Sequence, residues 1–273
     1  MTTKKLTVEE QYRKYPPVWP RFAISALVVF IIVLLSNYSI DIKGINPKGV
    51  LIAKAALKGL ISPSWALITD TSTSGLMYML METLAIGLLG TVFGIVLALP
   101  LAFLASRNIC PRWINAISLG VISVIRAFPS FMYGIMFVKA VGPGAFAGVL
   151  SMTISSVGML AKLLVEAIED LNPGIIEALD AAGCSSFEKI RYGIIPQLSS
   201  NIVSILIYRL DINVKNASIL GVVGAGGIGA PLIFSIAKQS WHEVSAMLLG
   251  MIILVLILEY FSTKLRRKLS VGQ

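Results

Sequence analysis

Long apolar runs separated by short polar ones dominate the chain. Runs with approximate edges at 22–40, 76–105, 114–141, 144–165, 197–222 and 244–262 approach or exceed the roughly 18–20 apolar residues that cross a hydrocarbon core of about 30 Å as a helix. The pattern predicts an all-α, polytopic membrane protein of about six transmembrane helices. The first run follows a polar leader carrying Lys4, Lys5, Arg13, Lys14 and Arg21. That leader is long for a signal peptide and no clear small-x-small site follows, so the run is read as an uncleaved anchor. From Asp41 to Gly75 the pattern is mixed. Lys54 and Lys58 lie four apart among Val50, Leu51, Ile52, Leu57, Leu60 and Ile61, as in an amphipathic helix lying in the interface, and Trp65 follows Pro63 at the expected headgroup level. The expected division is an amino-terminal part, 1–75, and a core, 76–273. Pro100 and Pro129 fall inside the second and third runs and are expected to kink those helices without ending them, because neighbouring helices re-satisfy the freed carbonyls.

Composition agrees with a bilayer as solvent: 56% hydrophobic, 14% charged, mean hydropathy +0.83. The net charge of +9 raises nucleic acid as a partner, but the Lys and Arg residues collect at the ends of apolar runs and not among aromatics on a polar face, which argues for membrane topology and no nucleic acid. Arg107 and Arg112, Lys162, Lys189 and Arg191, and Lys264, Arg266, Arg267 and Lys268 all fall on one side if six spans are counted. The positive-inside bias then places both termini in the cytoplasm, with Lys43, Lys48, Lys54 and Lys58 as the exception. Cys110 and Cys184 fall on that same side, and neither a disulfide nor a metal spacing is indicated.

One polar insertion interrupts the late runs, from about Glu166 to Pro196. Pro173-Gly174 breaks the chain, Pro173 opens a helix, and Ile175, Ile176, Leu179, Ala182 and Phe187 make an apolar stripe. Gly183-Cys184-Ser185-Ser186 permits a sharp turn, after which Ser185 or Ser186 caps a second short helix through Tyr192. Within this segment, Glu177-Ala178-Leu179-Asp180-Ala181-Ala182-Gly183 and Ile195-Pro196 resemble the EAA loop by which permeases of ABC importers dock on their ATPases. That family's pattern is Glu-Ala-Ala, three residues, Gly, nine residues, Ile, one residue, Leu, Pro. The chain departs from it with Leu179 for the second Ala, Gly193 for the Ile and Ile195 for the Leu.

More specific runs extend the resemblance beyond the first helix. These are Glu82-Thr83-Leu84, Val141 through Leu150, Lys162-Leu163 leading to Glu166-Ala167-Ile168-Glu169, Tyr208 through Val214, and Leu220 through Gly229. Together they are similar to the membrane subunit of phosphonate-type ABC importers. The resemblance implies a type I importer permease fold, a location in the bacterial inner membrane, and cargo of phosphonates or related phosphorus oxyanions. It also implies a second copy of the chain, two ATP-binding subunits that hold ATP and Mg, and an extracytoplasmic substrate-binding protein. The coupling residues would be Glu177, Ala178, Asp180, Ala181, Gly183 and Pro196, and no cofactor is expected on this chain. A permease for another small solute such as an amino acid, or a secondary transporter, is the alternative; no inverted repeat favours the latter.

Ionisable groups within the spans are costly in lipid and should face the bundle interior, a watery path or a partner. Arg209, Asn213 and Asn216 recur at i, i+4 and i+7 and are expected, with Arg126, to line the path; Asp211 and Lys215, four apart, are expected to pair. Structural bridging between helices is the competing role for each. Gly224-Ala225-Gly226-Gly227-Ile228-Gly229 satisfies Gly-x-Gly-x-x-Gly, but it follows a membrane span where a dinucleotide site needs a strand and a helix. A close-packed or re-entrant turn near the outer face, and a part in an outer gate, is the expectation for Gly224, Gly226, Gly227 and Gly229. His242 is the chain's one histidine, and no nucleophile-base set or phosphate-cradling Gly-Lys-Ser/Thr loop is present, so ATP hydrolysis is expected elsewhere.

Overall fold

A computed structural model of the protein describes residues 19–39 and 49–271, and every regular element among them is helical. The leader cations Lys4, Lys5, Arg13 and Lys14, and Lys43 and Lys48, lie outside the described residues. The chain divides into two units, through Ala53 and from Lys54 onward. The first unit carries α1 (Trp19–Ser39), exposed along its length from Phe22 to Leu35, as a helix that is apolar all round requires when lipid is its solvent.

The second unit contains most of α2 (Gly49–Ile61), α3 (Trp65–Thr69), α4 (Leu76–Ala105), α5 (Arg112–Ala127), α6 (Ser130–Val141), α7 (Ala145–Glu169), α8 (Pro173–Ala181), α9 (Ser186–Glu188), a π-helical segment (Lys189–Ile194), α10 (Ile195–Gly221), α11 (Gly229–Ala237) and α12 (Trp241–Val271). Five helices are long and apolar enough to span a bilayer: α1, α4, α7, the helix running from Lys189 to Gly221, and α12; the bent pair α5 and α6 makes a sixth if counted together.

The third run is where expectation and structure part. Pro129 does not kink one helix; it ends α5, and α6 leaves at an angle of 83°. Phe128 and Pro129 are both extended, as the residue before a proline prefers. Proline at 129 also deprives the Ile125 carbonyl of its helical donor, and the Tyr133 hydroxyl supplies one at 2.9 Å from α6, while Phe128 and Tyr133 meet edge to face. Pro100, by contrast, lies inside an unbroken α4.

α7 is the centre of the bundle, and α4, α5, α6 and α10 pack round it. In lipid there is little hydrophobic drive for helices to associate, so close van der Waals contact must do it, and small residues make the approach. A methyl added at Gly87 would lie 2.7 Å from Val214 of α10, and one at Gly94 would lie 2.5 Å from Ser156 of α7, with Met152 equally close over Gly90. Ala98, Ala102 and Ala105 continue this stripe into a core with Ile122, Leu160, Leu164 and Leu198. Phe93, Val96 and Leu97 on the other face of α4, and Ile252, Ile253 and Leu256 of α12, point outward as a lipid-facing surface does.

The end of α2 is clasped to the start of α12. Gly59 lies against Trp241, the His242 ring Nδ1 is 2.7 Å from the Ser62 carbonyl, to which it donates, and Ser245 Oγ donates to Leu60 O at 2.8 Å. The single histidine of the chain thus serves packing in this unit.

Candidate functional site

Three polar assemblies stand out against this apolar frame. The first is inside the bundle. Arg209 on α10 is 4% exposed, and its guanidinium donates to Ser156 Oγ at 3.1 Å, to Ser155 Oγ at 3.0 Å and to Met159 Sδ at 2.7 Å, all on α7. One turn on, the fully buried Asn213 amide donates to Thr91 Oγ1 on α4 at 2.8 Å and to Ser156 Oγ at 2.7 Å. Its own carbonyl oxygen is buried with no partner. Ser156 thus accepts from two donors of α10, and Asn213 joins α10 to both α4 and α7. No carboxylate pairs with Arg209 among the described residues; hydroxyls and a thioether surround a cation that lipid would exclude.

The structure brings only part of the predicted polar stripe together. Arg209 and Asn213 share the network; Asn216 stays half-exposed outside it. Arg126 is exposed, with its stem against α7 where a methyl on Gly158 would lie 2.9 Å from Arg126 Cγ. Arg126 and Arg209 therefore converge from α5 and α10 on one segment of α7, Ser155 to Met159. Asp211 and Lys215 form an ion pair of 2.8 Å along α10, and the second Asp211 oxygen is buried without a partner. Serines 155 and 156 were missed as site residues; a Ser-Ser pair in an apolar run opposite a span bearing Arg is the signal that could have marked them.

The second assembly is the connector from Asp170 to the π segment. The Asn172 side chain caps α8 by accepting from Gly174 N at 3.0 Å, with Pro173 in the first turn. The helix closes in a Schellman motif: Cys184 N donates to Leu179 O and Gly183 N to Asp180 O, both at 3.0 Å, with Gly183 at φ +78°. Ser185 and Glu188 then form a capping box. Glu188 Oε2 accepts from the Ser185 hydroxyl and N–H, each at 2.7 Å, and these bonds hold the Glu188 carboxyl below the usual carboxylate range.

From Ser186 the chain stays helical without interruption to Gly221, so the second short helix and the fifth span are one body. Its π turn is marked by Ile195 N donating to Ile190 O, and Pro196, which has no N–H to donate, follows directly; the Gln197 side-chain amide donates to the Gly193 carbonyl at 3.0 Å. Lys189 pairs with Asp180, and Leu179 packs directly on Gly193, so α8 is fastened to the π segment by one ionic and one apolar contact. Glu177, Ala178 and Ala181 remain exposed.

The third assembly is the glycine-rich turn between α10 and α11. Gly224, Gly226 and Gly227 have φ between +73° and +87°. A methyl on Gly226 would lie 2.7 Å from the Ala145 backbone and one on Gly227 2.7 Å from Thr83 Oγ1; Ile228 N donates to that hydroxyl at 3.0 Å, and Gly144 N to Gly224 O at 2.8 Å. Gly229 opens α11 against Ser218 and Gly221. Thr83, Gly144 and the turn, distant in sequence, thus form one tight junction.

Residues 90–270 match the family described as "Binding-protein-dependent transport system inner membrane component". The chain belongs to this family. A member of it is the multi-pass membrane component of a transport system, and the match runs from mid-α4 through the connector to the end of α12. Among relatives, the phosphite transport system permease protein PtxC of Stutzerimonas stutzeri is 34% identical over 91% of this chain and 90% of its own length. The putative phosphite transport system permease protein HtxC of the same organism is 36% identical over 68% of this chain, which spans 66% of that protein. A chain of the MetNI methionine ABC transporter, solved in inward-facing conformations, superposes with a TM-score of 0.61 at 22% identity, covering 71% of this chain and 95% of that one, so the fold is that of ABC importer permeases.

Proposed function

We propose that this family member is the permease subunit of an ATP-driven importer of phosphorus oxyanions such as phosphite or phosphonates. The observation that carries the reading is the similarity to a phosphite permease over nine-tenths of both chains, joined to a buried guanidinium with no carboxylate partner. Arg209 with Asn213, flanked by Arg126, forms the cationic element of the path; guanidinium forks match tetrahedral oxyanions, and among the described residues no carboxylate pairs with either arginine.

The connector is the docking knob for an ATP-binding subunit, which holds the nucleotide and its Mg and does the hydrolysis. Glu177, Ala178, Asp180, Ala181 and Gly183 form its outer part, and Pro196 marks where it enters the membrane helix. A second copy of this chain completes the path and an extracytoplasmic binding protein delivers cargo. Both termini and the connector face the cytoplasm, in line with the clustered cations. Closure of the ATPase pair displaces α8 and, through the Lys189–Asp180 and Leu179–Gly193 contacts, the helix behind it.

The test is phosphite uptake in cells that lack their own importers and express the chain with its ATPase and binding protein. Arg209→Ala and Asn213→Ala should each lower uptake by about tenfold or more while the ATPase still co-purifies; normal uptake would overturn the path assignment. Gly183→Pro, which cannot adopt the required φ, should abolish co-purification from an inserted chain. Failure of the wild type to retain any ATPase would overturn the importer reading itself.

A further inference from the structure

The turn between α4 and α5 carries two guanidiniums that none of the three assemblies uses. Arg107 and Arg112, with Cys110 and Asn115, line a pocket of about 560 Å³, within the roughly 300–1,000 Å³ of small-ligand clefts. Both arginines are exposed, and among the described residues neither side chain makes an ion pair or hydrogen bond. α5 begins at this point with no side-chain cap and no acid in its first turn, so the positive end of its dipole adds to theirs. Glu169 is the nearby carboxylate, and the Arg107 backbone N–H engages it at 3.0 Å.

The turn is built to hold its shape. Ser106 Oγ donates to Ala102 O at 2.7 Å, the buried Asn115 amide donates to Ala105 O, and the Asn108 amide reaches the Ile168 and Glu169 carbonyls at 3.4 Å. Trp113, 67% exposed one residue past Arg112, is the type of side chain that settles at headgroup level.

Two forked cations, an open helix start and a fixed frame are the chemistry that recognises a phosphate group. We propose that this pocket binds one, either the headgroup phosphate of an anionic phospholipid or a free phosphorus oxyanion. The turn that forms the pocket is itself tied to the end of α7, where the connector begins, through the Arg107 N–H and the Asn108 amide. The proposal is independent of the cargo reading, because it concerns binding and not transport.

Cys110 lies in the pocket and reports occupancy directly. The full chain carrying Cys184→Ala is placed in nanodiscs, and the rate at which a maleimide modifies Cys110 is measured. The discs contain phosphatidylcholine alone, phosphatidylcholine with added phosphatidylglycerol, or phosphatidylcholine with inorganic phosphate in solution. Protection by phosphatidylglycerol assigns the pocket to lipid; protection by phosphate in neutral discs assigns it to the free oxyanion. In either case Arg107→Gln with Arg112→Gln should raise the half-protecting amount about 30-fold, and Arg107→Lys with Arg112→Lys should restore much of it. Both residues are exposed, so the exchange leaves the packed core untouched, and intact α-helical content confirms this for each variant. No protection by either ligand, or equal protection in the glutamine variant, would overturn the proposal.

Discussion

Leu179 and Gly193 stand where the importer pattern has alanine and isoleucine, and in the structure they stand against each other. A large residue has replaced a small one on α8 and a small one has replaced a large one on the π segment, so the two departures form one exchange of volume across a single contact. Gly193→Ile should therefore overpack the joint at a cost of about 1–3 kcal/mol. Leu179→Ala, at a half-buried site, should cost less than the roughly 2–5 kcal/mol of a fully buried leucine. The double variant restores the family pairing and should lie closer to wild type than either single change, which thermal unfolding of the four chains would reveal as a coupling energy. This compensation was invisible in the sequence, where each departure reads as a separate weakening. The Arg209 network was half visible: periodicity put Arg209 and Asn213 on one stripe, but it also admitted Asn216 and gave no hint that Thr91, Ser155 and Ser156 would be their partners from 50 or more residues away.

Among elements, the connector makes two predictions. The capping box starts the second helix with a carboxylate whose folded pKa is depressed, chiefly by the Ser185 hydroxyl and then by its N–H. A depressed carboxylate contributes stability above its unfolded pKa and loses it as pH falls through the folded value. The stability gap between wild type and Glu188→Gln should thus be constant from pH 7 to about 5 and shrink below roughly 4.3, the ordinary glutamate value, as followed by thermal unfolding at each pH. The π turn inserts residues that offset the connector around the helix axis by about 100° per residue. Deleting Tyr192 should rotate α9 and α8 by that amount relative to α10 and abolish uptake from a chain that still inserts. Elements were legible wherever the apolar run was long; the two prolines show the limit. Pro100 and Pro129 sit in similar apolar company, yet α4 continues through one and α5 stops at the other. The difference lies in Phe128 turning extended and Tyr133 reaching back to Ile125 O, contacts between elements that local pattern does not contain.

At the scale of the whole molecule, the positive-inside arrangement predicts opposite labelling of two ends. An impermeant thiol reagent applied outside intact cells should modify Lys238→Cys in a chain carrying Cys110→Ala and Cys184→Ala, and should spare Cys184 in the otherwise native chain until the membrane is opened. The reverse result would invert the topology. The helix from Lys189 to Gly221 gives this sidedness a mechanical meaning. At 1.5 Å per residue its 33 residues reach about 50 Å, more than the bilayer's apolar depth. It has the connector at one end and the glycine-rich turn at the other. Such a rod behaves as a seesaw: a tilt of ~10° about its middle carries the two ends ~4 Å in opposite senses. In the importer proposed above, drawing the connector end toward the axis would push the glycine-rich end away, so the stiffness of one helix would keep the two ends from opening together and the membrane from leaking.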